Sequence, residues 1–339
     1  MSDDSDILTL MGADSHNQSR YGVQERAIEV DSSIPAKSLR WSASSVTTFV
    51  QCPLKLWWGK VAGWQEGPST ATAAGTAVHS ALEHLFERDP AERTPPVAEA
   101  ALAVAIDEVR DELAAAAVPI DDVRARAEAA LAVYWNLEDP VAVDVLPGGL
   151  EREISLELAG VTFIGYADRV ARSDTGAIVS DYKTGVAKPR YLGPYYRQQY
   201  LYAAALHEED VDVTEIELLF LGEGRRIRRP VYPAALERAT ATLRATADEA
   251  ALMADTGHWT ARQSGLCGWC SFETVCPLRR SRVPIPGSVA SNERLAVIPG
   301  MAHRASTPKV DEVAETAIPP VVGDLDPADE APADGGLFG

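Results

Sequence analysis

Residues 161–183, VTFIGYADRVARSDTGAIVSDYK, decide the fold. Apolar and polar residues alternate on both sides of Ser173-Asp174-Thr175-Gly176, a tight-turn sequence, so the stretch predicts a β-hairpin. If the turn is centred within this tetrapeptide, Asp168 on the first strand lies opposite Asp181 on the second. A bulge at Gly176 would shift that pairing by one residue. The hairpin thus predicts two carboxylates on one face of a sheet.

Lys183 follows Asp181 by two residues and therefore shares its face of the strand. Facing carboxylates repel each other unless a cation or a shared proton compensates, and Mg²⁺ prefers oxygen ligands. A nearby lysine can orient or deprotonate a water, or stabilise charge on a phosphoryl oxygen. The three residues predict a hydrolytic metal site. One alternative stays open, in which Asp168 and Lys183 form a cross-strand ion pair and Asp181 is merely solvated.

The periodicity around the hairpin predicts an α/β fold with a mixed sheet flanked by helices. Helical spacing covers three segments before the hairpin, and period two returns on both sides of it. The predicted helices are 74–88, 97–117, 121–137, 195–207 and 234–256, and the predicted strands are 150–158, 161–171, 177–184, 215–221 and 227–232.

The two ends of the chain differ in composition from the middle. The 339-residue chain has a net charge of -19, but residues 1–37 and 283–339 are polar and acidic and predict a disordered leader and a disordered acidic tail. Residues 38–282 keep 34 acidic and 25 basic residues, a net charge of -9. Taken as a total, the acidity argues against a nucleic-acid partner, yet about half of it lies on the ends. The chain shows no membrane-length apolar run and no signal-peptide pattern, so we expect a cytoplasmic protein without a membrane partner.

Three further candidates lie outside the hairpin. His79 borders the apolar stripe of the 74–88 helix, where it is either a ligand or a hydrogen-bonded helix-border histidine. Gln198 and Tyr202 are four residues apart in a predicted helix and share one face, as surface or core pairs also do. Glu153 on the first strand either supports the site or is an exposed charge.

Four motifs follow one another along the chain: His79, Gly165-Tyr-Ala-Asp168-Arg, Asp181-Tyr-Lys183 and Gln198-xxx-Tyr202. In this order they resemble the motifs of the PD-(D/E)XK nuclease superfamily, and within it those of the RecB-like exonuclease branch. The resemblance covers about residues 41–280. It implies a restriction-endonuclease-like core in residues 38–282. It also implies Mg²⁺ or Mn²⁺ held by His79, Asp168, Asp181 and the backbone carbonyl of Tyr182. Lys183 would act on the attacking water, and Gln198 and Tyr202 would position the nucleic-acid strand. A helical insert at about 97–139 departs from the family pattern.

All four cysteines belong to one pattern. Cys267, Cys270 and Cys276 form C-x2-C-x5-C, and Cys52 stands far upstream, a ligand set that suits tetrahedral Zn²⁺ or an iron–sulfur cluster. The same RecB-like branch carries this arrangement, so the resemblance implies a 4Fe–4S cluster that clasps residues 41–64 and 259–280 as a subdomain. Six of the seven tryptophans lie in these two segments. A structural role is expected for the cluster, and a redox role stays open.

Two basic runs remain in the acidic middle, Arg225-Arg226-Ile227-Arg228-Arg229 and Arg279-Arg280-Ser281-Arg282. They are either phosphate contacts or solvated ends of a strand and a helix. Tyr191, Tyr195 and Tyr196 are candidates for stacking on unpaired bases. The chain contains no G-x-x-x-x-G-K-[ST] motif, so any helicase partner would be a separate protein.

Together these features predict a metal-dependent DNA exonuclease that acts on single-stranded or resected DNA with free ends, in repair or recombination. Two alternatives stay open. One is a catalytically idle, nuclease-like DNA-binding or scaffolding subunit with a structural iron–sulfur cluster. The other is a CRISPR-adaptation nuclease. The sequence does not decide cleavage polarity, strand preference or endonucleolytic against exonucleolytic action.

Overall fold

A computed structural model of the protein describes residues 25–34 and 39–304. Its strands are β1 (Glu25–Glu29), β2 (Trp64–Gln65), β3 (Val145–Leu158), β4 (Val161–Ser173), β5 (Gly176–Lys183), β6 (Val213–Phe220), β7 (Arg225–Pro230), β8 (His258–Arg262) and β9 (Ala302–His303). Its α-helices are α1 (Ala43–Gln51), α2 (Pro53–Leu56), α3 (Thr70–Phe86), α4 (Pro95–Glu108), α5 (Arg110–Ala115), α6 (Ile120–Tyr134), α7 (Leu192–Glu208), α8 (Pro233–Thr256) and α9 (Val289–Ala296). Within the described residues, no helix is both long and apolar enough to cross a membrane.

A five-stranded mixed sheet with the order β3-β4-β5-β6-β7 forms the centre. The first three strands are an antiparallel meander, β6 pairs with β5 in parallel, and β7 returns antiparallel at the edge. Helix α7 supplies the crossover that a parallel pair requires. The predicted mixed sheet flanked by helices is confirmed, and its strand order is consistent with a restriction-endonuclease-like core.

The β4–β5 hairpin has the predicted register. Ser173 pairs with Gly176 and Arg169 pairs with Ser180, so no bulge displaces the strands at the turn. Continued by one residue, this register places Asp168 opposite Asp181.

Apolar cores cover both faces of the sheet. On one face, α1, α7 and α8 pack with the π-helical turn Trp57–Val61. On the other, α3 to α6 form a second core that includes Tyr182 and Leu219 of the central strands. Because side chains alternate along β5, Tyr182 points to the α3 side while Asp181 and Lys183 point to the α7 side. The site residues therefore lie where both layers meet the sheet.

Helix α3 begins at a capping box. The hydroxyl of Ser69 accepts from the N–H of Thr72, and the Thr72 hydroxyl accepts from the N–H of Ser69. Its predicted stripe, Val78, Leu82 and Leu85, is fully buried. The cap and the stripe together fix the rotation of the helix, which decides where the neighbouring His79 points.

The predicted disordered ends are partly wrong. Residues 25–29, inside the expected leader, form β1, which pairs antiparallel with β8 and buries Ile28. Polar composition hid this strand because it lies at an edge, with one face in the core. Residues 289–296, inside the expected tail, form α9, which begins at the Ser288 cap and buries Leu295. The predictions of disorder for residues 1–24 and 305–339 concern residues outside the described ranges.

The insert predicted at 97–139 consists of three helices, α4, α5 and α6, in place of two. The chain leaves helical geometry at Val109, where ψ is 6°. Helices α4 and α6 pack on α3, so the insert joins the core on the His79 side of the sheet.

Candidate active site

The two predicted carboxylates lie where β4 and β5 part. Beyond the Arg169–Ser180 pair, the N–H of Tyr182 no longer bonds to a β4 carbonyl and instead donates to Oδ2 of Asp168 at 2.7 Å. This bond holds the Asp168 carboxylate between the strands.

His79 reaches the same point from α3. Its Nε2 lies 2.7 Å from the carbonyl oxygen of Tyr182, and its Nδ1 lies 3.4 Å from Oδ1 of Asp168. An imidazole, a carboxylate and a backbone carbonyl from three separate elements therefore meet. These are three of the four groups expected to hold a metal ion.

Asp181 lies beside this group and contacts the remaining predicted residues. Its oxygens bind Nζ of Lys183 at 2.6 and 2.8 Å and Nε2 of Gln198 at 2.9 Å. The hydroxyl of Tyr202 lies 3.4 Å from Nε2 of Gln198. Asp181 is only 2% exposed, so the alternative of a solvated Asp181 beside an Asp168–Lys183 ion pair is wrong.

Gly165 explains how Tyr202 comes so close to the sheet. A Cβ at this position would lie 2.5 Å from Cε1 and 2.8 Å from the hydroxyl of Tyr202. Only a glycine lets the Tyr202 ring approach β4 this closely.

Burial and close charges shift the acid–base properties of the site. Burial alone lowers the pKa of His79, but the Asp168 carboxylate outweighs it and raises that pKa to about 9. Burial raises the pKa of Asp181, and the charge of Asp168 adds to the rise. Burial opposes the charge on Lys183, yet Asp181 keeps the pKa of that lysine above its ordinary value.

Glu151 is a site residue that sequence reasoning missed. His79, Glu151 and Asp168 each offer a ligand atom, and these atoms lie within 4.8 Å of one another. Burial, and then repulsion from Asp168, raises the pKa of Glu151 to about 7. The candidate chosen from the sequence, Glu153, is exposed, pairs with Tyr166 and does not join the group.

A sequence signal for Glu151 existed. Leu150 pairs with Arg169 and Arg152 with Ala167, so Glu151 lies at the β3 position opposite Asp168. The same register reasoning that paired Asp168 with Asp181 would have found it from the short β3–β4 turn at Ala159-Gly160.

The donor set fits a divalent cation. It combines carboxylate oxygens, one backbone carbonyl and one imidazole nitrogen, which are ligands that Mg²⁺ and Mn²⁺ accept. Burial raises the pKa of Glu151 and the nearby Asp168 adds to the rise, and a cation would offset both effects.

A buried ion network supports the site from behind. Arg169 binds Glu138 through both terminal nitrogens, at 2.5 and 2.9 Å, and donates to the hydroxyl of Tyr182 at 2.6 Å. Glu217 closes the network, with an oxygen 3.5 Å from Arg169. All of these side chains are almost fully buried. The network anchors the ring of Tyr182. The backbone of the same residue contacts both Asp168 and His79.

A cleft of about 590 Å³ opens next to Lys183, between α6 of the insert and the loop after β5. Its lining includes Arg126, Lys188, Tyr191 and Tyr195. Nζ of Lys183 lies 5.0 Å from the ring centre of Tyr195. Two of the predicted stacking tyrosines thus line a cleft at the site, whereas Tyr196 is 1% exposed and its ring faces the core.

The first basic run is only partly exposed to solvent. Arg226 and Arg228 both bind the buried carboxylate of Glu217, the latter from Nε at 2.7 Å. In the second run, Arg279 and Arg280 each lie 3.6 Å from Glu273. These four arginines therefore have structural partners.

The four cysteines line one cavity of about 170 Å³. Within the described part of the chain, however, no three thiols lie within 4.8 Å of one another, the separation that the His79 group satisfies. Burial raises the pKa of Cys270 to about 11 and also raises that of Cys276. Trp58 stacks on Phe272 beside this cavity, with ring centres 5.7 Å apart, while Trp269 is 87% exposed.

One of the comparisons with known proteins identifies a family. A family model described as the PD-(D/E)XK nuclease superfamily matches residues 40–277. No curated protein matches the chain. Among solved structures, "Crystal structure of SSO0001" is similar with 12% sequence identity and a TM-score of 0.33, over 80% of this chain and 96% of that chain.

Proposed function

The chain belongs to the PD-(D/E)XK nuclease superfamily, and from this premise we propose that it is an active, metal-dependent nuclease that hydrolyses phosphodiester bonds in DNA. The observation that carries the proposal is the meeting of His79, Asp168 and the Tyr182 carbonyl beside the Asp181–Lys183 pair. A buried lysine paired with a carboxylate beside candidate metal ligands suits phosphodiester cleavage, and a protein that only bound DNA would not need this pair.

In this proposal, His79, Asp168, Asp181 and the carbonyl of Tyr182 hold the cation. When bound, a divalent ion polarises the phosphate and lowers the pKa of a coordinated water. The Tyr182 N–H fixes one oxygen of Asp168, which leaves the other oxygen for the ion. Binding would also require one ring nitrogen of His79 to be unprotonated, as every metal-bound imidazole nitrogen is.

Lys183 acts on the attacking water or on a phosphate oxygen. An ammonium group has three N–H donors, and the two oxygens of Asp181 account for two of them. The third donor is left to hold the water or to stabilise negative charge on the phosphate. Gln198 donates to Oδ1 of Asp181 and lies 3.4 Å from the Tyr202 hydroxyl, and in this proposal the two residues position the strand.

The cleft beside Lys183 supports a single strand as substrate. Arg126 and Lys188 offer positive charge to phosphates, and Tyr191 and Tyr195 offer rings to bases. A duplex fits this cleft less well, because stacking on tyrosine requires unpaired bases. The resemblance to RecB-like exonucleases adds the rest of the proposal, which is exonucleolytic trimming of single-stranded or resected ends in repair or recombination.

The activity is tested with end-labelled single-stranded DNA and Mn²⁺, comparing wild type with Asp181→Ala and Lys183→Ala. Arg172→Met on the exposed side of β4 serves as the control. Metal-dependent cleavage that both site variants lose and the control keeps supports the proposal. Equal background in all four proteins refutes it, and metal-independent DNA binding would then favour an idle scaffolding subunit.

Two further comparisons refine the activity. Substrates blocked at the 5′ end, the 3′ end or both separate exonucleolytic from endonucleolytic cleavage and give the polarity. The genes next to this one separate a repair nuclease from a CRISPR-adaptation nuclease.

For the cysteines, we propose a 4Fe–4S cluster held by Cys52, Cys267, Cys270 and Cys276. Four thiolates around one zinc ion would lie about 3.8 Å apart, given Zn–S bonds of about 2.3 Å. The four thiols line one cavity, and the resemblance to the RecB-like branch is what favours an iron–sulfur cluster over a zinc ion there. Bridging Cys52 to the C-terminal thiols closes a loop of over 200 residues and stabilises the fold.

Anaerobic purification with a visible spectrum and iron, sulfide and zinc analysis tests the cluster. Broad absorption near 400 nm with about four irons per chain supports it. One zinc and no iron per chain refutes it.

A further inference from the structure

We propose that Glu151 is a metal ligand, which with His79 and Asp168 holds the divalent cation on the β3 side of the site. This inference rests on the proposed nuclease function, because that function supplies the cation. It adds a ligand that the family motif on β4, β5 and α3 does not contain.

The geometry of the three side chains carries the inference. One ligand atom from each of His79, Glu151 and Asp168 lies within 4.8 Å of the other two, close enough for one ion to contact all three. Asp181, whose oxygens contact Lys183 and Gln198, lies outside this 4.8 Å set, so Glu151 would add to the ligands of the proposed function without replacing Asp181. The Glu151 side of Asp168 is therefore a separate approach to the ion.

The backbone of β3 is shaped to present Glu151. The register between β3 and β4 shifts between Val145 and Leu150, and Glu151 follows this irregularity with a φ of +39°. Such a left-handed conformation is uncommon for a residue with a side chain. Bulges next to sites commonly re-aim one side chain, and here the re-aimed residue is the glutamate opposite Asp168.

Two glycines make this bulge possible. Gly148 has a φ of +64°, and a Cβ on Gly149 would lie 2.4 Å from the carbonyl oxygen of Val170. The segment 147–149, Pro-Gly-Gly, can therefore fold tightly against β4 just before Glu151.

Glu153 supplies a matched control. It lies two residues along the same strand and has the same charge, but it is exposed and pairs with Tyr166 in regular β geometry. Removing its charge changes the net charge of the protein by the same amount as removing that of Glu151.

The test is Mn²⁺ binding, measured by isothermal titration calorimetry on the full-length protein purified anaerobically and stripped of divalent ions. Wild type is compared with Glu151→Gln, Glu153→Gln and Asp168→Asn. We expect Glu151→Gln to weaken Mn²⁺ binding at least about tenfold, the scale reached by losing even an outer partner of a metal ligand. Glu153→Gln should stay within about twofold of wild type.

A second variant guards against misfolding. Glycine accepts a positive φ without strain, so Glu151→Gly should bind Mn²⁺ as weakly as Glu151→Gln while its thermal unfolding temperature in EDTA equals or exceeds that of wild type. Glu151→Asp, which keeps the carboxylate, should recover part of the affinity.

The outcomes separate the inference from the function on which it rests. If Glu151→Gln and Glu151→Gly bind Mn²⁺ within twofold of wild type while Asp168→Asn does not bind it, Glu151 is no ligand and the proposed function stands. If wild type itself does not bind Mn²⁺, both fail.

Discussion

Replacing Arg169 with methionine should destabilise the protein far more than the same change at Arg172. The two arginines lie three residues apart on β4, and both pair with a carboxylate. Arg169 is 2% exposed and binds a glutamate that is 3% exposed, whereas Arg172 and its partner Asp144 are 63% and 67% exposed. Only the first change leaves a charge buried without its main partner.

The contacts set the magnitude. Without Arg169, Glu138 loses a two-point ion pair and keeps the Tyr134 hydroxyl at 2.8 Å and an Arg226 nitrogen at 3.7 Å. Glu217 keeps Arg226 and Arg228 and suffers less. Breaking a buried pair from one side costs about 3–5 kcal/mol, and an exposed pair is worth about 0–1 kcal/mol.

Urea unfolding followed by tryptophan fluorescence measures both variants. We expect a loss of about 3–5 kcal/mol for Arg169→Met and less than about 1 kcal/mol for Arg172→Met. Adding Glu138→Gln to Arg169→Met should recover much of the loss, because it removes the unpaired charge. Equal losses for the two single variants, or no recovery in the double variant, would refute the reasoning.

Three further changes test other parts of the account. Gly165→Ala should lower the free energy of unfolding by about 1–3 kcal/mol, because its Cβ would lie 2.5 Å from the Tyr202 ring. Gly265→Ala, whose Cβ would meet no atom within 4 Å, should leave it unchanged, and thermal unfolding compares the two variants. Arg126→Gln should weaken single-strand binding and reduce its salt slope by about one, while Arg124→Gln, on the same helix but lining another cavity, should leave both unchanged in fluorescence anisotropy. In cluster-free protein, burial raises the pKa of Cys270 from 9.0 to about 11. The thiol therefore ionises at lower pH in the unfolded chain than in the folded one, and the free energy of unfolding should fall as the pH rises from about 9 to about 11. Cys270→Ala should flatten this part of a plot of urea midpoint against pH, and an unchanged slope would contradict the assignment.

The hairpin and its carboxylates could be predicted because their determinants are local. The turn tetrapeptide sets the register, and the register alone places Asp168 opposite Asp181. Lys183 follows from the period of the strand. The same local reasoning applied to the β3–β4 turn would also have located Glu151.

The meeting of His79 with this hairpin could not be derived from spacing. His79 and Tyr182 are 103 residues apart, and the packing of α3 on the sheet, with three insert helices around it, brings them within 2.7 Å. Only resemblance to a family placed this histidine at the site.

Buried charge was also hidden in the sequence. Arg169, Glu138 and Glu217 look like surface residues by composition, since charged side chains are rarely buried unless paired. Their pairing depends on three strands and the end of the insert meeting behind Tyr182. Strand β1 escaped notice for a related reason, because its partner β8 lies more than 200 residues away.

The proposed nuclease activity is tested by comparing metal-dependent cleavage of labelled single-stranded DNA by wild type and Asp181→Ala. We expect wild type to degrade the strand with Mn²⁺ and not with EDTA, and Asp181→Ala to leave it intact while its circular dichroism spectrum remains that of the folded protein. Cleavage by Asp181→Ala at the wild-type rate would contradict it.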